Sequence, residues 1–147
     1  MSSTINTELF DLLKDLLGLV TTATKPEDNN FYLYQLPSTK QVPTKVWWLI
    51  PQAQNLSNRL VTGERDYLDT FLLYYRSSNP KDVDVQTNMA QELINGLKCF
   101  NLPNYNVVYC RASTTNPDED LDEENMWRGS VVITLRSIQD SRWIESF

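Results

Sequence analysis

The densest group of chemically capable side chains lies between positions 118 and 124, where six of seven residues are acids: Asp118, Glu119, Asp120, Asp122, Glu123 and Glu124. Closely spaced carboxylates can hold calcium or magnesium, and a pair of them across a cleft can supply the acid and base of glycoside hydrolysis. The spacing here fits neither chemistry. A calcium loop needs a central glycine for its sharp turn, and this run has none. A hydrolase needs two acids at a fixed separation, one with a raised pKa, which a run of mutually repelling charges does not supply. The segment over about 116–125 reads as a solvated loop, too charged to bury. A metal-binding module built on it stays open as the rival reading.

Other catalytic constellations lack their parts. The chain has no histidine, so Ser-His-Asp, Cys-His and His-metal sites are unavailable. Cys99 and Cys110 are the only cysteines, without C-x-x-C spacing, and read as small buried hydrophobes. Four glycines leave little scope for a phosphate-cradling loop, and no nucleotide-binding or nucleophile-elbow motif is present. The expectation is a protein that is not an enzyme and uses no cofactor and no metal.

Charge narrows the partners. Thirteen basic against nineteen acidic residues give a net charge of -6, and no run of five basic residues marks a nucleic-acid arm, so specific nucleic-acid binding is not expected. The start, M-S-S-T-I-N-T-E-L-F, lacks the basic and apolar regions of a signal peptide, and no stretch approaches ~20 apolar residues. These features predict an unexported chain without a membrane span.

The elements that must position these groups fit a single domain over 1–147. Ile5, Leu9, Leu12, Leu13, Leu16, Leu17 and Val20 recur at helical spacing behind Ser3 or Thr4 as N-cap, with Glu8, Asp11, Lys14 and Asp15 on the polar face. Strands are predicted at 31–36 and 45–50, where adjacent Trp47 and Trp48 must point to opposite faces. One serves a core face, and the other is covered by a helix or by a partner subunit. A polar stretch at 52–66 with a turn at Gly63 precedes a strand at 67–76. Asn79, Pro80 and Asp82 form a helix start, and Val85, Met89, Leu93 and Leu97, joined by Ala90 and Ile94, carry the helix to about 99 before Asn101 and Pro103 stop it. Two more strands follow, Y-N-V-V-Y-C-R-A-S and W-R-G-S-V-V-I-T-L-R, the second with clear period-2 alternation. The predicted class is α+β, a mainly antiparallel sheet of about five strands with two main helices against it.

Taken in order, the N-terminal helix, R-L-V-T-G-E-R-D, the strand ending Y-Y-R-S-S-N-P, the V-x-x-x-M-A-x-E-L-x-x-x-L helix and the strand R-G-S-V-V-I-T-L-R resemble the tail terminator (tail completion) and minor capsid proteins of long-tailed phages. The resemblance covers most of the chain. It implies a virion subunit, assembled in the host cytoplasm, that forms a six-membered ring at the head-proximal end of the tail tube. Its partners would be copies of itself, the major tail tube protein and a head-tail connector or stopper, with DNA passing through the ring. A different neck protein, itself a stopper or connector, shares the architecture and stays open. Trp47, Trp48, Arg59, Arg65 and Arg76 are the candidate subunit or tube interface, with surface solvation the alternative for the arginines. The acids at 118–124 are expected to line the channel, to dock on a connector, or only to solubilise.

Overall fold

The computed structural model describes residues 4–36, 43–59, 65–97, 100–115, 118–119 and 126–139. Helix α1 spans Ile5–Leu17 and begins where the Thr4 side chain accepts a bond from the Thr7 amide. It ends at Gly18, whose φ of 64° is the left-handed conformation that glycine adopts without strain. Ile5, Leu9 and Leu13 are fully buried, and Phe10 stacks on Phe31 at 4.3 Å. Two expectations for this helix are corrected. Val20 is exposed beyond the helix end, and Glu8 is buried, because its carboxylate accepts bonds from the Asn104 amide (2.8 Å) and side chain (3.1 Å).

Strand β1 covers Phe31–Leu33, shorter than the predicted 31–36, because Tyr34 takes a φ of 77° that leaves the extended region. It pairs parallel to β2, Val46–Arg59, with Phe31 opposite Trp47. Strand β2 continues far beyond the predicted 45–50 and forms a long antiparallel hairpin with β3, Arg65–Ser77, so most of the stretch expected as loop is sheet. The predicted turn at Gly63 lies outside the described residues.

Helix α2, Pro80–Asn95, starts as expected: the Asn79 side chain accepts from the Lys81 amide at 3.0 Å, with proline in the first turn. It stops before the predicted 99, and Asn101 belongs to β4, Phe100–Leu102. Strand β5, Tyr105–Thr114, follows, then the two-residue β6, Asp118–Glu119, and β7, Trp127–Gln139. The sheet order is β1-β2-β3-β7-β5-β4, with β6 pairing on β7 off that path. The α+β class stands. The expected sheet of about five strands is corrected to a mixed one with six strands on its main path, because β1 adds in parallel and β4 folds back on β5.

Both helices lie on one face of the sheet. Trp47, Leu49, Phe71, Leu73, Tyr75, Val131, Ile133, Leu135, Cys110 and Ala112 form the core with α1 and with Val83, Ala90 and Ile94 of α2. The predicted apolar repeat of α2 is buried at Ala90 and Ile94 and is corrected at Val85, Met89 and Leu93. Val85, Met89 and Leu93 face outward, and Val83, Thr87, Ala90 and Ile94 face the sheet. The helix approaches β7 closely at Gly129, where Val83 and Thr87 leave no room for a side chain. Among the described residues no helix is long and apolar enough to cross a membrane.

Candidate functional site

Among the described residues the opposite sheet face carries no helix, and its side chains follow from strand alternation and register. Trp48, Tyr74, Arg76, Arg128, Ser130, Val132, Thr134 and Arg136 occupy it on β2, β3 and β7, where Trp48 is opposite Tyr74 and Arg76 is opposite Arg128. Strand β5 adds Tyr109 and Arg111 to the same face. A bulge between Val107 and Tyr109 makes this possible: Val108 is the extra residue, and it shifts the alternation so that Cys110 and Ala112 point to the core.

Aromatic rings and guanidinium groups alternate across this surface. The Trp48 and Tyr74 rings stack at 5.1 Å, the Arg128 guanidinium lies 5.3 Å from the Tyr74 centroid, and Arg111 lies 5.0 Å from that of Tyr109. Tyr74, Arg128, Gly129, Ser130 and Thr115 line a shallow depression of about 210 Å³. Beyond it, the Arg136 Nε donates to both oxygens of buried Asp66, at 3.0 and 3.2 Å. That carboxylate raises the pKa of Arg136, chiefly through the hydrogen bond. Four arginines against Asp66 leave the described side chains of this face at a net +3 (4 − 1), in a chain whose total is -6.

The residues proposed from sequence do not converge on one place. Trp47 and Trp48 point to opposite faces as alternation requires, and both are buried within the chain, with exposures of 4% and 7%. Trp47 packs against Tyr75 with centroids 4.5 Å apart. Arg59 and Arg65 are register partners where β2 ends and β3 begins. Arg76 sits eleven residues along β3 from Arg65, about 37 Å away at strand rise. It is buried, and its Nη2 donates to the Pro43 carbonyl at 3.5 Å. Asp118 and Glu119, expected in a loop, form β6, because the β5 side of the hairpin resumes pairing with Arg128 and Trp127. Asp120, Asp122, Glu123 and Glu124 lie outside the described residues, as does Cys99. Arg111, Arg128, Arg136, Tyr74 and Tyr109 were missed as a group, although the alternation in β7 already put Arg128 and Arg136 on one side.

On the helix side a cleft of about 290 Å³ is lined by Leu17, Lys45, Trp47, Tyr75 and Met89, among others. At its wall the Tyr75 hydroxyl donates to Asp82 Oδ2 at 2.6 Å, and Lys45 Nζ lies 3.8 Å from the same oxygen. Burial, then the Asp82 contact, pushes the Tyr75 phenol well above its ordinary range. Burial works against the charged form of Asp82, but bonds from Tyr75 and Ser77 and the charge of Lys45 outweigh it and hold that carboxyl below its ordinary range. Burial raises the Cys110 thiol to about 12.

No family model matches the chain, and no curated protein matches it. Among solved structures it is similar to a chain from the virion of a native gene transfer agent particle, at 13% identity and a TM-score of 0.51. The match covers 86% of this chain and 84% of that one. At that identity the likeness shows a shared fold alone.

Proposed function

We propose that the protein is a structural subunit of a phage-like virion, and within it the tail terminator: a ring of copies that caps the head-proximal end of the tail tube, stops its growth and presents a surface to the head connector. The observation that carries the reading is the shared fold with a virion chain over nearly the full length of both. An open sheet face bearing aromatics and arginines supports an assembling role, since such side chains dominate protein interfaces.

The test is to add purified protein to the major tail tube protein as it polymerises and to measure tube length by electron microscopy. Tubes of limited length with a ring on one end are the expected result. Tubes of unlimited length, with the protein bound instead to isolated head connectors, would replace the terminator by a neck stopper. Tubes of unlimited length with no binding to either would overturn both.

A further inference from the structure

We infer that the outward face of α2 is the docking surface for the same face of a second copy of this chain, the two helices crossing antiparallel about a two-fold axis. Val85, Met89 and Leu93 are exposed by 55%, 39% and 39%, and they follow one another every four residues along the helix. Such a row is a single ridge of a helix surface, and two ridges of this kind interdigitate when the helices cross at about 50°. The face is thus complementary to itself. Met89 also lines the helix-side cleft with Leu17 and Trp47, so the apolar surface runs on past the row.

Charge commits the occupant. Lys81 and Glu92 are both exposed on α2, and neither makes an ion pair among the described residues. At 3.6 residues per turn both lie within about 40° of Val85, on the flank away from Leu93. An antiparallel two-fold sets each flank against the same flank of the other copy and reverses the order along the axis. Centred at the level of Thr87, it puts Val85 opposite Met89 of the second copy and brings Lys81 to within one residue of the level of Glu92 of that copy. A parallel pair would set like charges at the same level, and it would also align the two helix dipoles. The contact is isologous and closes at two copies, whereas a ring is built from heterologous contacts. It therefore joins two chains, or two rings, and does not rest on the terminator reading.

Three apolar side chains and two charges a copy put the contact at the small end of protein interfaces, under about 1,200 Å² in total, so the pairing is weak and depends on concentration. The full-length protein is examined by sedimentation equilibrium without tail tubes, at concentrations up to about 1 mM, the weak end of the affinity scale. Wild type should form a species of twice the mass that V85E/M89E forms, whether the unit doubled is a chain or a ring. Both positions are exposed and glutamate is a good helix former, so this variant keeps its fold, which its thermal melt checks. K81E and E92K should each weaken pairing about tenfold, because two symmetric charge pairs turn from attraction to repulsion. Mixed together, K81E and E92K should pair one-to-one at least as tightly as wild type, since one chain then brings only acids to the flank and the other only bases. Should V85E/M89E unfold, that mixture alone decides. Wild type with the same mass as folded V85E/M89E, charge variants that pair as wild type does, or no gain on mixing them would each overturn the inference. If wild type shows no doubling and folded V85E/M89E fails to cap tubes, the inference is likewise overturned and the face belongs to another virion protein.

Discussion

Replacing Gly129 by Ala tests how α2 is seated on the sheet. Gly129 lies on the helix-facing side of β7 and has no positive φ, so alanine is compatible with its backbone. What it lacks is room. A Cβ there would sit 2.6 Å from Val83 Cγ1 and 3.1 Å from Thr87 Cγ2. Carbon atoms prefer about 3.5–4.0 Å, so the shortfall to Val83 is roughly 1 Å. Val83 cannot swing away, because a β-branched side chain in a helix has one strongly preferred rotamer and this one is fully buried. The Thr87 hydroxyl is also tied to the Val83 carbonyl at 2.8 Å. The helix must therefore shift from β7, an overpacking cost of about 1–3 kcal/mol. For a domain of this length that lowers Tm by roughly 3–10 °C. Thermal unfolding followed by circular dichroism reads the change. Val83→Ala removes the clashing methyl, so the double variant should be more stable than the sum of the single changes allows, with a coupling of at least about 1 kcal/mol. Glycine-to-alanine changes at unstrained positions instead stabilise by about 0.4–1 kcal/mol through the unfolded chain. A G129A protein that melts at or above the wild-type temperature, or additive single changes, would refute the close approach.

Two further outcomes follow from the shifted groups. The folded pKa of Asp82 is depressed, so its contribution to stability is fully present above the unfolded value of about 3.9 and is lost as pH falls through the folded value. Asp82→Asn should therefore lower urea stability at pH 7 and converge on wild type as the pH is brought below that range, and a constant difference at all pH values would refute the assignment. Cys110, buried and held to about 12, should react with iodoacetamide at pH 8.5 slower in the folded Cys99→Ser protein than in urea by two to three orders of magnitude, since the thiolate is the nucleophile. Equal rates followed by mass spectrometry would show the thiol to be accessible and ionised.

Local physical chemistry was enough to read much of this protein in advance. The start of α2 was legible because Asn79, Pro80 and Asp82 each satisfy a requirement of a helix N-terminus that involves only neighbouring residues. The two faces of β7 were legible because alternation is a property of a single strand. The absence of histidine and of nucleotide-binding motifs, which needs no structure, set the expectation of a protein without catalysis. Tertiary contacts decided the rest. Val85, Met89 and Leu93 carry a helical period as regular as a buried stripe, yet the helix turns them outward because Val83 and Thr87 fit against Gly129 on a strand 46 and 42 residues away. Glu8 looked like a surface charge until its partner, 96 residues on, was brought to it by β4 and β5. The arginines at 76, 111, 128 and 136 are scattered along the chain, and strand order together with one bulge at Val108 gathers them on a single face. Composition counted those charges correctly, but a field depends on distances, and distances between residues remote in sequence exist only once the sheet has formed.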